Sequence, residues 1–205
     1  SYQDATLTID VSTAAGATQA TPLRFHLTDS NGHAAMAPKT FDWAVGTTSN
    51  TFTLPIQNPL KWDAEHPNLY TLTAELLLDG VVIERTSRKV GFREIEIDGS
   101  IFKVNGKPVK LRGGCRHSVH PLAGRADVAG LDERDIKLYK DANINYVRTS
   151  HYPTTERFLE LADEYGIYIE EEMAICWGAH HAAGADLQNI ADDPSVRNYF
   201  MDAMA

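Results

Sequence analysis

The apolar period of this sequence changes once, near residue 95, and that change restricts the fold more than any other feature. Before it, the period is two. Ala5, Leu7, Ile9 and Val11 alternate with Thr6, Thr8 and Asp10. Leu23, Phe25 and Leu27 alternate with Arg24, His26 and Thr28, and Tyr70, Leu72, Ala74, Leu76 and Leu78 make a third such face. Successive side chains of a strand point to opposite sides, so alternation marks strands with one buried face. Asp79-Gly80 separates Thr71–Leu78 from Val81–Arg88, and Asn31-Gly32 is a second turn signal. Both dipeptides accept the positive φ angles of a tight hairpin. Several short strands with no helical stretch predict a β-sandwich of immunoglobulin type over residues 1–95. Tyr70, Leu72 and Leu76 should face inward.

From about residue 109, strand and helix alternate. Val109–Leu111 predicts a short strand. Leu131–Ala142 has a helical rhythm, with Ile136 and Tyr139 three apart and Leu138 and Ala142 four apart. Asp132 is a candidate cap for that helix, with Asp135 in its first turn. Ile144–Arg148 predicts a second strand. A second helix follows, capped by Thr154 or Thr155, carrying Phe158, Leu159, Ala162 and Tyr165 and ending at Gly166. Ile167–Ile169 predicts a third strand. Asp193-Pro194 then opens a third helix with Val196, Tyr199 and Phe200. Such alternation implies parallel strands in an α/β architecture. Glu94–Ile97 and Ile101–Val104, on either side of Asp98-Gly99, predict a hairpin at the junction. A (β/α)8 barrel needs ~250 residues, and residues 96–205 hold about three βα units. The second half therefore reads as an incomplete TIM barrel, truncated before its fourth strand. The chain is expected to be a piece of a longer polypeptide, with no fourth strand of its own to pair with the third.

Composition excludes several function classes. The 205-residue chain is 43% hydrophobic, enough to build a core rather than a disordered segment. Twenty-eight acidic against nineteen basic residues give a net charge of -9, which argues against nucleic acid as a partner. No apolar run approaches the ~20 residues that cross a bilayer. Ser1–Ala5 has neither the basic nor the apolar region of a signal peptide, so the compartment stays open between cytoplasm and a secreted location served by an upstream leader. Cys115 and Cys176 are too few for a disulfide-stapled fold or a four-thiolate zinc site and read as free thiols.

Polar residues collect after each predicted strand of the second half. Arg112, Cys115, Arg116, His117 and His120 follow the first, Arg148, Ser150, His151 and Tyr152 the second, and Glu170, Glu171, Glu172 and Trp177 the third. Active sites of α/β barrels lie where the loops after the strands converge, so this clustering marks a candidate site.

The segment Asn145-Tyr-Val-Arg-Thr-Ser-His-Tyr-Pro153, followed by Phe158-Leu159, Asp163 and Gly166-Ile-Tyr-Ile169, resembles the signature of glycoside hydrolase family 2. Gly91-Phe-Arg93, Phe102-Lys-Val-Asn-Gly-Lys-Pro108 and Leu111-Arg-Gly113 are similar to the segment that leads into that family's barrel. Asn58-Pro-Leu-Lys-Trp62 and His66-Pro-Asn-Leu-Tyr70 are similar to its immunoglobulin-like domain. Among subfamilies the β-galactosidases are the nearest match. The resemblance implies hydrolysis of β-linked carbohydrate with retention, by two carboxylates ~5–5.5 Å apart. In the family both come later in the barrel, so no catalytic carboxylate is expected within these residues and the chain alone is expected to be inactive. The resemblance assigns Arg148 to hold the nucleophile carboxylate and His117 and His151 to line the sugar subsite. Glu172 adds a further acceptor, Trp177 a stacking face, and Asp163 and Tyr165 anchor the second helix. No cofactor is implied, and a homo-oligomeric parent is compatible with it.

The sequence departs from the family at a few points. Cys115 stands where some members have Asn. Cys176 and Gly178 stand where magnesium-binding β-galactosidases carry Glu and His, so no metal site is expected. Glu170 stands where the signature is apolar. The local glutamates do not make a catalytic pair of their own. Glu171 and Glu172 are strand neighbours facing opposite ways, and Glu170 and Glu172 sit ~6.6 Å apart on one face, nearer the inverting range. The competing reading is a non-catalytic β-sandwich module that binds carbohydrate or a partner; such a module has no reason to carry Arg148 and His151 in a barrel signature.

Overall fold

The computed structural model describes residues 2–174 together with 198, 201 and 202. The chain divides into two compact units, Ser1–Lys110 and Leu111–Ala205.

The first unit begins with β1 (Ala5–Ser12), β2 (Thr21–Thr28), β3 (Lys39–Trp43), β4 (Ser49–Ile56), β5 (Tyr70–Leu78) and β6 (Val81–Val90). β1 pairs with β4, and a second antiparallel sheet runs in the order β3-β2-β5-β6. The two sheets share one core. Leu7, Phe52, Leu54 and Ile56 come from one; Leu23, Phe25, Leu27, Trp43 and Tyr70 come from the other. Phe25 meets the tilted rings of Phe41 and Phe52 at 5.9 and 5.2 Å, a favoured aromatic geometry. Burying each large side chain of this kind stabilises by ~1.5–3 kcal/mol. The alternation in β5 has the expected sense, with Tyr70 buried and Leu72 and Leu76 packed against the core. A register shift between Leu76 and Leu77 then interrupts it, and Leu77 rather than Leu78 is the buried residue beyond it. Asp79 and Gly80 turn the hairpin with φ of 50° and 78°.

One carboxylate is buried in this sandwich. Glu75 is 4% exposed and accepts hydrogen bonds from Arg24 and Arg85, at 2.7 and 2.5 Å from their Nη2 atoms, and meets His26 Nε2 at 2.9 Å. The Arg24 bond, above all, holds its carboxyl down at about 2, against the cost of burial. The first unit closes with an antiparallel sheet of β7 (Ile95–Asp98), β8 (Ile101–Val104) and β9 (Lys107–Pro108), which contains the junction hairpin.

The second unit runs β10 (Gly113–Arg116), α1 (Leu131–Asp141), β11 (Tyr146–Thr149), α2 (Glu156–Tyr165) and β12 (Tyr168–Glu171). The strands are parallel in the order β10-β11-β12, the opening of a barrel that does not close among the described residues. Ile136, Phe158, Leu161 and Ala162 of the helices pack with Val147 and Ile167 to form its core.

Two local expectations are corrected. The first strand forms at Gly113–Arg116, not at Val109–Leu111, because Val109 still belongs to the preceding hairpin, where its N–H donates to Phe102 O. A side chain at Gly113 would meet Tyr146 O at 1.6 Å, so glycine is what allows β10 to approach β11. Asp132 does not cap α1. The cap position is Gly130, with φ 79°, and Asp132 sits in the first turn bonded to Arg116 and Thr155. Thr155 caps α2 by accepting from Phe158 N–H, and Gly166 ends it in the left-handed region. The third helix expected at Asp193-Pro194, with Val196, Tyr199 and Phe200, lies outside the described residues.

Candidate active site

Alternation along β11 divides its side chains between two faces. Val147 and Thr149 are buried toward the helices, which leaves Tyr146 and Arg148 on the opposite face. The parallel register sets Arg148 between Cys115 on β10 and Glu170 on β12. Glu170 and Glu172 share the Arg148 face. Glu171 turns the other way and accepts from Thr154 N–H at 3.2 Å.

Arg148 is the centre of the cluster. Its Nε and Nη2 both reach Oε1 of Glu172. Nη1 lies 3.6 Å from Cys115 Sγ, and Nε lies 3.8 Å from Glu170 Oε1. The other oxygen of Glu172 is 2.7 Å from His151 Nδ1. The Glu172 N–H donates to Thr149 Oγ1 at 3.0 Å, which fixes the backbone where β12 ends. Burial pushes the Glu172 carboxyl up, but the bonds from His151 and Arg148 outweigh it and hold the group below its ordinary range. The bond to Glu172 in turn raises the Arg148 guanidinium. An ionised carboxylate accepts only, so the proton of the shared bond belongs to His151 Nδ1, and Nε2 is left as an acceptor in the neutral ring.

The histidines of the first two strand ends also meet. The His117 and His151 rings are 5.6 Å apart at 76°. Tyr152 lies beside them, with its hydroxyl 3.4 Å from His117 Nδ1 and accepting from Ser118 N–H at 3.1 Å. Arg125 lies over the Tyr152 ring at 4.9 Å. Arg116 has a different task. It is buried, bonded to Asp132 and Asp135 at 2.7 and 2.9 Å and stacked 4.1 Å over Phe158, and so ties β10 to both helices. His120 turns its Nδ1 to the amides of Leu122 and Ala123 and orders its own loop.

Of the residues singled out in the sequence, the structure gathers Arg148, His151, Glu172 and His117 into one group. Trp177, Cys176 and Gly178 lie outside the described residues. Among the described residues no cluster of three or more His, Cys, Asp or Glu has the geometry to hold a metal ion. Tyr152 and Glu170, noted among the polar residues after the strands but given no role, join the group, as does Tyr146, which was not singled out. Counting back two residues from Arg148 would have found Tyr146; the partners Cys115 and Glu170 depend on strand register, which no local pattern reveals.

Parallel strands whose ends carry Arg, His and Glu in mutual contact fit a barrel hydrolase, and comparison with known proteins agrees. The family model for glycosyl hydrolases family 2 matches residues 1–93, and that for the glycosyl hydrolases family 2 TIM barrel domain matches residues 95–205. A β-galactosidase of Priestia megaterium is 48% identical over 119 residues, covering 57% of this chain and 12% of that protein. A β-glucuronidase structure from Parabacteroides merdae superposes with a TM-score of 0.75 at 26% identity, over 85% of this chain and 22% of that one. A β-glycosidase structure from Bacteroides vulgatus gives 0.73 at 31%, over 84% and 22%. The chain thus spans about an eighth of the curated relative and under a quarter of either solved chain. With both of its segments matched in order, a sandwich followed by the first strands of a barrel, the chain belongs to glycosyl hydrolase family 2.

Proposed function

We propose that these residues form the immunoglobulin-like domain (residues 1–95) and the first portion of the catalytic barrel (96–205) of a retaining β-glycosidase acting on β-galactosides. The observation that carries this reading is the continuous contact Arg148–Glu172–His151 across two strand ends. The geometry supports the roles that the family resemblance implies. Arg148 offers donors beyond those engaged by Glu172, and a guanidinium can hold a second carboxylate and keep it ionised, as a nucleophile must be. Glu172 orients Arg148 and His151 together. His151 Nε2 and the adjacent His117 supply the donor and acceptor mixture that a sugar hydroxyl needs. The two reacting carboxylates belong to later barrel strands and are not among these residues.

A galactoside is favoured over a glucuronide on two grounds. The 48% identical relative is named a β-galactosidase, whereas the β-glucuronidase structure is 26% identical. The donors that Arg148 has left after Glu172 are assigned to the nucleophile carboxylate, which leaves none of them for a uronate. The test is a panel of p-nitrophenyl β-glycosides offered to the full-length polypeptide and to its Arg148→Ala variant. Preferred cleavage of the galactoside, lost in the variant, supports the proposal; preferred cleavage of the glucuronide removes the substrate assignment.

A further inference from the structure

Glu170 is a charged residue where the family signature is apolar, and the roles assigned above leave it unused. Its side chain is partly exposed, and each of its oxygens faces a group on β11. Oε2 accepts from the Tyr146 hydroxyl, and Oε1 lies 3.8 Å from Arg148 Nε, the nitrogen that also donates to Glu172. Register and alternation make this arrangement: Glu170 is the direct β12 partner of Arg148, and Tyr146 is two residues before Arg148 on the same face of β11. Burial, and then the bond to Glu170, push the Tyr146 phenol up to about 12, so it remains a donor throughout the working pH range.

We propose that Glu170 is a positioning residue of this site, which with Tyr146 braces the Arg148 guanidinium and sets how much of its positive charge reaches a third carboxylate. The proposal rests on the reading of Arg148 as the group that holds the nucleophile. The groups facing the guanidinium are Cys115 from β10 and Glu170 and Glu172 from β12 and the residue after it; Tyr146 faces Glu170 and His151 faces Glu172. Two carboxylates therefore surround one guanidinium. A negative charge beside the guanidinium weakens its hold on the proton equilibrium of an incoming carboxylate, so Glu170 keeps that carboxylate's pKa higher than Arg148 and Glu172 alone would leave it. Glu170 also restricts where the guanidinium can point, and loss of that restraint is felt where alignment matters most, in the chemical step.

The test uses the full-length polypeptide and an aryl β-galactoside, with kcat, KM and the pH profile of kcat/KM measured for Glu170→Gln, Glu170→Asp and Tyr146→Phe. Glu170→Gln should lower kcat about tenfold with KM nearly unchanged, and should move the acidic limb of the profile to lower pH. Glu170→Asp keeps the charge but shortens the reach, so kcat should fall while the limb stays in place. Tyr146→Phe should lower kcat by less, also without moving the limb. An acidic limb that Glu170→Gln leaves in place overturns the proposal, whether kcat is unchanged or falls equally at all pH as it would for a merely structural carboxylate. Should Glu170→Gln fail to fold, Glu170→Asp decides: a displaced limb, or an unchanged kcat, overturns the proposal. A wild-type polypeptide that cleaves no β-glycoside removes the functional reading itself, an outcome distinct from an active enzyme indifferent to residue 170.

Discussion

Glu172 and Glu75, two of the described carboxylates held below their ordinary range, are held there by different means and with different consequences. Glu172 lies at the strand ends, where Arg148 and His151 keep it ionised. If its partners act as proposed, Arg148→Ala in the full-length polypeptide should lower kcat far more than it raises KM, because the demand on the nucleophile is greatest in the transition state. His117→Ala and His151→Ala should each lower kcat/KM by about ten- to a hundredfold through lost bonds to the sugar. Steady-state kinetics on an aryl β-galactoside separates these cases. Glu75 is buried in the sandwich beneath Arg24, Arg85 and His26, and its effect is expected on stability. Its folded pKa of about 2 lies below the ordinary 4.5, so its contribution is complete above pH 4.5 and is lost as pH falls from 4.5 toward 2. Glu75→Gln should cost about 1–3 kcal/mol at neutral pH. Thermal melts should show the gap between wild type and variant closing through that same acid window; a gap constant with pH would contradict the assignment.

At the scale of the element, Thr155 and Gly113 are the positions to test. Thr155→Ala removes the cap of α2 and should cost about 1 kcal/mol, read by chemical denaturation. Gly113→Val should do more harm, because a side chain there meets the Tyr146 carbonyl of the neighbouring strand. It should disrupt the β10–β11 pairing and with it the contact of Cys115 with Arg148. Which elements were legible in the sequence follows from their physics. The sandwich strands announce themselves by period, Thr155 and Gly166 by capping chemistry, and Asp79-Gly80 by the φ angles it allows. β10 does not, because its pairing rests on two glycines that carry no apolar signal, and the apolar Val109–Leu111 nearby places the expected strand four residues too early. Arg148 and His151 stand out in the family motif, and His117 and Glu172 in the polar residues that follow the strands. The contacts of Cys115 and Glu170 with Arg148 were not legible, since they cross strands whose register only the folded sheet defines.

For the whole molecule, the chain is proposed to carry the supporting side of a site whose reacting carboxylates lie elsewhere in a longer polypeptide. The 205 residues alone should therefore hydrolyse no aryl β-galactoside at any pH. Activity that survived repurification and was abolished by Glu172→Gln would instead place the chemistry on the local glutamates. The central claim is retaining β-glycoside hydrolysis built around Arg148, Glu172 and His151. It is tested most directly by following the first-formed anomer with proton NMR as the full-length polypeptide cleaves p-nitrophenyl β-galactoside. The account predicts that β-galactose appears first and mutarotates afterwards; α-galactose appearing first, or no hydrolysis of any β-glycoside, would contradict it.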